Sequence, residues 1–144
     1  MYLVDTNVIS ASAPTKTHSR AELVEWMERN SDRLFLSAVT IAEVEDGIAK
    51  ARREGAHQKA TRLAEWLETL LHLYSERILV LDVRVARLVG QLSDVSRGRG
   101  HAPGFADLVI AATARSRGYL VLTSNLRHFT IVDVPAHDPF AGLP

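Results

Sequence analysis

Apolar residues along this chain recur in short runs and in helical stripes that alternate from one end to the other. Tyr2 to Val4 is a short apolar run that stops at Asp5-Thr6-Asn7, the pattern of a buried strand opening into a polar loop. Ser19 and Glu22 stand at capping-box spacing, and Leu23, Trp26 and Met27 then recur at helical intervals, which predicts a helix to about Asn30. Leu34 to Leu36 is a second short run. Thr40 and Glu43 repeat the capping-box spacing ahead of Val44 and Ile48, so the second strand is expected to feed a second helix. From His57 to about Ser75 the positions Leu63, Trp66, Leu67, Leu70, Leu71 and Tyr74 form one amphipathic stripe, and Gly55 marks a hairpin between this helix and the one before it.

Ile78 to Leu81 reads as a third strand, Val85 to Leu92 as a helix, and Gly98 to Gly104 as a glycine-rich loop. Phe105 to Arg117 is a helix whose centre, Leu108 to Ala114, is apolar almost all round and therefore expected to be deeply buried; Gly118 suits its C-terminal stop. Tyr119 to Leu122 is the fourth strand and Ile131 to Val134 a short fifth. Short apolar strands alternating with helices argue for an α/β fold, with a mostly parallel sheet of four to five strands covered on both faces by helices.

A length of 144 residues, 47% of them hydrophobic, fits one domain spanning residues 1–144. No apolar run approaches the roughly 18 residues that cross a bilayer, and the first acidic residue arrives at Asp5 in place of an export signal, so a cytoplasmic location away from membranes is expected. The absence of cysteine excludes a disulfide framework, a thiolate zinc site and a cysteine nucleophile. Seventeen basic residues balance seventeen acidic ones, so the overall basic charge of many nucleic-acid binders is missing. A local substitute is the stretch Ser96 to His101, whose Arg97 and Arg99 are candidate RNA contacts or simply a solvated loop.

Ligands of parallel α/β sheets gather beyond the carboxyl ends of the strands. Asp5 follows strand one, Glu43 lies on the helix after strand two, and Thr123-Ser124-Asn125 follows strand four. Asp107 shares a helix face with Ile110, Ala111 and Ala114 and is expected to point inward with them. Each has a plainer role: Asp5 as a cap or turn former, Glu43 as the third residue of a capping box, Asp107 as a partner of the helix dipole. Together they form a different case, since inward carboxylates in water-poor surroundings require a cation or several hydrogen bonds. An oxygen-only ligand set of Asp5, Glu43 and Asp107 suits Mg²⁺ or Mn²⁺, which activate water and hold a phosphodiester without a protein nucleophile.

Four segments carry a family resemblance. Tyr2-Leu3-Val4-Asp5-Thr6-Asn7-Val8-Ile9, Ser37-Ala38-Val39-Thr40-Ile41-Ala42-Glu43 with Gly47-Ile48, Phe105 to Ala114, and Leu122-Thr123-Ser124-Asn125-Leu126-Arg127-His128-Phe129 resemble VapC-type toxins of the PIN-domain family along nearly the whole chain. The resemblance implies a PIN-like three-layer sandwich and a metal-dependent endoribonuclease acting as the toxin of a toxin–antitoxin pair. Its catalytic set is Asp5, Glu43, Asp107 and Asn125, supported by Thr6, Asn7, Thr123 and Ser124. It also implies a homodimer and an antitoxin whose tail covers the site, with the helices around Trp26, Trp66 and Tyr74 as a surface for that tail or as core.

The chain departs from the family in the fourth segment, where an aspartate often stands in place of Asn125 or three residues later; here those positions hold Asn125 and His128. A neutral amide adds no charge, which weakens a second metal, and His128 is either a surface residue or a phosphate contact. Two other readings remain. One is an aspartyl-phosphate domain using Asp5, for which no lysine follows strand four; the other is a degenerate PIN domain that binds without cutting.

Overall fold

In the computed structural model, which describes residues 1–15 and 20–144, a five-stranded parallel sheet is flanked by seven α-helices. The elements in chain order are β1 (Tyr2–Val4), α1 (Thr6–Ile9), α2 (Ala21–Arg29), β2 (Leu34–Ser37), α3 (Ala38–Arg53), α4 (His57–Leu73), β3 (Ile78–Leu79), α5 (Val83–Gly98), α6 (Phe105–Arg117), β4 (Leu120–Leu122), α7 (Leu126–Thr130) and β5 (Ala136–His137). The strands lie in the order β3-β2-β1-β4-β5. The chain therefore winds outward from β1 to one edge and returns to the other side of β1, which puts the reversal of strand order between β1 and β4.

The register sorts side chains between the two faces. Leu3 pairs with Val121 and Val4 with Leu122. Leu3 and Val121 pack with Val85, Val89 and Leu92 of α5 and the buried run Leu108 to Ala112 of α6. Val4 and Leu122 pack on the opposite face with Leu34, Leu36, Leu23, Met27 and Leu70. A third cluster, including Val44, Ile48, Ala60 and Leu67, joins α3 to α4. This is the expected three-layer arrangement, and α6 is as buried as its sequence implies, with every residue from Leu108 to Ala114 inside. Gly118 closes α6 in the left-handed region, φ 69°, where a side chain would be strained.

The differences from the sequence reading have local causes. Ser19 lies outside the described residues. Thr40 does not cap a helix: α3 begins earlier, at Ala38, capped by Ser37, whose Oγ accepts from Val39 N–H at 3.2 Å, and Thr40 is fully buried inside it. β3 ends at Leu79, where its pairing with β2 ends, leaving Val80 and Leu81 exposed. The fifth strand is Ala136–His137, not Ile131 to Val134; Val132 and Val134 are apolar because they close the turn after α7 over the core, with Val134 N–H bonded to the Phe129 carbonyl. Helix α5 runs on to Gly98 and takes Ser96 and Arg97 out of the expected loop, Ser96 being fully buried. The helices α1 and α7, four and five residues long, are too short to show a period in the sequence.

Candidate functional site

The carboxyl ends of β1 and β4 meet around Asp5. The β1–β4 pairing continues one residue beyond the strand, because Asp5 N–H donates to the Leu122 carbonyl at 2.9 Å. This fixes the backbone of Asp5 beside Thr123. Asp5 then caps α1 in extended conformation, so the plainer role anticipated for it is real: one carboxylate oxygen accepts from Thr6 N–H at 2.7 Å. Its other oxygen accepts from the Thr123 hydroxyl at 2.7 Å and from the Asn7 amide at 2.9 Å. Capping thus occupies one oxygen, while the second is held by a residue of α1 and one of the loop after β4.

Asp5 is only 3% exposed. Burial pushes its carboxyl above the ordinary value of 3.8, hydrogen bonds from Thr123 and Thr6 pull it back, and the negative charges of Asp107 and Glu43 push it up again. The three carboxylates predicted to converge therefore act on one another, but only Asp5 is in water-poor surroundings: Asp107 is half-buried and Glu43 exposed.

Each is held by a different partner. Glu43 Oε1 accepts from the Thr6 hydroxyl at 2.6 Å, and Thr6 Oγ1 also lies 3.1 Å from Thr40 Oγ1. A hydroxyl has one proton, and here it goes to the carboxylate, so Thr40 is the donor to Thr6. The buried Thr40 thereby orients Thr6, a contribution concealed in the sequence by its capping-box spacing. Asp107 Oδ2 stands 2.6 Å from His128 Nδ1. With the carboxylate as acceptor, Nδ1 carries the proton, which leaves Nε2 as the second ring nitrogen facing outward from the pair. Nothing in the spacing of residues 107 and 128 announces this contact.

The loop after β4 is stitched to α1. Ser124 N–H donates to Asn7 Oδ1 at 3.1 Å and Asn125 N–H to Thr123 Oγ1 at 2.9 Å. Thr6, Asn7, Thr123 and Ser124 are thus assembled with the acids as expected. Asn125 joins through its backbone; its exposed side chain makes no hydrogen bond among the described residues.

The candidate RNA contacts divide. Arg97 is an exposed residue of α5 whose guanidinium reaches Ser93 Oγ at 3.4 Å. Arg99 is committed internally, to the Ile131 carbonyl at 2.6 Å and Asp133 at 2.9 Å. His128 lies at the acids.

Among the described residues no three carboxylate or imidazole groups stand close enough to enclose an ion between them, and no Lys or Arg forms an ion pair with Asp5, Glu43 or Asp107. Three acids at one crevice are left with hydrogen-bond donors and one histidine as their only protein partners.

The same fold is found in known proteins. The model of the PIN domain matches residues 2–134. The chain is 33% identical to Toxin FitB of Neisseria gonorrhoeae over 97% of its own length and 99% of that protein. It is 30% identical to VapC ribonuclease Y4jK of Sinorhizobium fredii, over 97% of this chain and 98% of that one. Among solved structures, FitAcB from Neisseria gonorrhoeae superposes with a TM-score of 0.83 at 33% identity, covering 97% of this chain and 99% of that one. DNA-bound VapBC from Salmonella typhimurium gives a TM-score of 0.75 at 26% identity, covering 95% and 96%. With the family model matched over residues 2–134 and relatives 30% or more identical along nearly the whole chain, this protein belongs to the PIN-domain family.

Proposed function

We propose that this protein is a metal-dependent endoribonuclease, the toxin of a type II toxin–antitoxin pair. The observation that carries the reading is the buried Asp5 carboxylate, raised in pKa and repelled by Asp107 and Glu43, with no basic side chain among the described residues paired to it. Such a cluster is costly by itself and is rationalised by a cation. The donor set, carboxylate and hydroxyl oxygens without sulfur, suits Mg²⁺ or Mn²⁺, which bind through oxygen and keep part of their water shell. Asp5, Glu43 and Asp107 would hold it. When bound, the metal lowers the pKa of water and neutralises charge on the departing oxygen.

The chain's own residues do the positioning. Thr123 and Asn7 hold the second oxygen of Asp5, Thr6 holds Glu43, and His128 holds Asp107. With hydroxyls and an amide as partners, Asp5 and Glu43 have no basic side chain against them among the described residues; a lysine or arginine in those places would compete with the ion. Asn125 stands at the mouth of the crevice as a neutral group, which favours weaker occupancy by a second ion than an acid would give. The relatives support the toxin and RNA assignments, since they are named as a toxin and a ribonuclease.

For the antitoxin, an open cavity of about 460 Å³ lies between α2 and α4, lined by Ile9, Val24, Met27, Trp66, Leu70 and Tyr74 among others. Tyr74 is buried in the core and Trp66 packs against it, and both line the cavity. A tail with apolar residues at helical spacing fits this surface, and the functional unit is a homodimer.

Incubation of purified protein with single-stranded RNA and Mg²⁺ or Mn²⁺ tests the reading. Cleavage should stop in chelator and leave 5′-phosphate and 3′-hydroxyl ends. Activity that survives excess EDTA, or cyclic phosphate products, would reject it.

A further inference from the structure

Beside Asp107 there is a second cavity, of about 220 Å³, walled by His101, Pro103, Arg127, His128 and Ile131. It adjoins the acids through His128, whose Nδ1 is bound to Asp107. No carboxylate lines it. The cavity at the Glu43 end differs: Lys50 and Lys59 line it together with Glu43 and Glu54, so its lining is balanced in charge. At the Asp107 end the ionisable groups are one guanidinium and two imidazoles. The Arg127 side chain is exposed, and among the described residues it has neither a hydrogen bond nor an ion pair.

The walls are also held in register. Arg99 joins the segment before His101 to the segment after α7, through the Ile131 carbonyl and Asp133. His101 N–H is tied to the Ser96 carbonyl at 2.9 Å. The internal engagement of Arg99 thus has a use: it fastens one wall, His101 to Pro103, to the other, which carries Arg127, His128 and Ile131.

We propose that this cavity seats a backbone phosphate of single-stranded RNA adjacent to the phosphate at the acids, with Arg127 and His101 as its donors and Arg99 and His128 as positioning residues. The inference rests on the ribonuclease reading for its substrate class. A free, permanently charged guanidinium in a cavity without acids favours an anion. The nearness of three carboxylates makes such a cation necessary if a polyanion is to approach, because the acids by themselves repel it. A phosphate also fits the cavity better than a base, since the available groups are donors at the rim and not paired aromatic faces.

The experiment separates binding from cutting. A 5′-fluorescein-labelled single-stranded oligoribonucleotide is titrated by anisotropy in chelator, over a series of salt concentrations, against the full chain, Arg127→Ala, Arg127→Lys, His101→Ala and, as a control at an exposed arginine of α5 that does not line the cavity, Arg84→Ala. The expected result is about tenfold weaker binding at low salt for Arg127→Ala, with a salt slope flatter by about 0.7, the amount that one fewer neutralised phosphate on a single strand gives. His101→Ala should weaken binding less, Arg127→Lys should restore most of it, and Arg84→Ala should leave it unchanged. In Mg²⁺, Arg127→Ala should raise KM with kcat nearly unchanged. An effect of Arg127→Ala no larger than that of Arg84→Ala would overturn the inference, as would an effect on antitoxin binding alone. If the parent cuts no RNA yet Arg127 governs its binding, the ribonuclease reading fails and the phosphate seat stands. If the parent cuts while Arg127 is without influence, the reverse holds.

Discussion

Thr123→Val removes one hydroxyl from the centre of the crevice and leaves the side-chain volume nearly unchanged. Thr123 is fully buried, donates to Asp5 at 2.7 Å and accepts from Asn125 N–H at 2.9 Å. The first bond is to a charged acceptor, worth about 1.5–3 kcal/mol, and the second is neutral, worth about 0.5–1.5 kcal/mol. The variant should therefore lose roughly 2–4 kcal/mol at neutral pH, a fall in Tm of roughly 5–15 °C for a chain of this size. The loss should depend on pH. Because the folded pKa of Asp5 is raised above 3.8, its ionisation opposes folding: the stability it contributes is complete below 3.8 and is lost as pH rises through the folded value. Thr123 supplies the foremost influence that lowers this pKa, so without it the folded value climbs further. More stability is then lost, but only above the parent's own folded pKa. Urea denaturation of both proteins at about pH 4 and about pH 7.5 should show a clearly larger difference at the higher pH. Equal losses at the two pH values would reduce Thr123 to a packing residue with no hold on the Asp5 charge.

Asp107→Asn keeps an oxygen for His128 and removes a repulsion from Asp5, so the metal-free variant should melt within about 4 °C of the parent, a difference of about 1 kcal/mol. Its activity should fall by orders of magnitude, and Mg²⁺ should raise its Tm less than the parent's; an unchanged response to Mg²⁺ would mean that Asp107 only complements the dipole of α6. Asn125→Asp should tighten Mg²⁺ binding by calorimetry, since it adds ligand charge at the loop after β4, and an unchanged affinity would show that residue 125 does not face the ion. Trp66→Glu puts a charge into the wall of the cavity between α2 and α4, and it should weaken antitoxin binding at least tenfold in a pull-down titration while RNA cleavage by the free protein persists.

Features that rest on residue-by-residue alternation were legible in the sequence. The abrupt change from Val4 to Asp5 marked both the end of β1 and the first acid, and the apolar circumference of α6 told that Asp107 opens a buried helix. Features that depend on which residues tertiary packing brings together were not. Thr40 and Glu43 have the spacing of a capping box, and only the earlier start of α3 at Ala38 turns Thr40 into a buried support for Thr6. Val132 and Val134 have strand-like alternation, yet they serve the core as part of a turn. Arg99 has the composition of an RNA contact and the position of a brace, because its partners Ile131 and Asp133 come from more than thirty residues away.

The site and the fold make opposite demands on the same strand ends. β1 is central, and its Leu3 and Val4 anchor the cores on either face of the sheet, so a defect at its end is felt by both layers. Yet the next residue is a buried carboxylate whose raised pKa identifies it as an unfavourable place for a charge. The hydrogen bonds around Asp5 do not remove that penalty; they spread it over Thr6, Asn7 and Thr123, so that α1 and the loop after β4 are locked together. A hydrophobic residue at position 5 would forfeit those bonds and the stitching of helix to loop, whereas a lysine or arginine beside it would quench the charge. The arrangement present keeps the charge, orders it and leaves it without a basic partner among the described residues, which is the condition under which an external cation contributes most to both binding and stability.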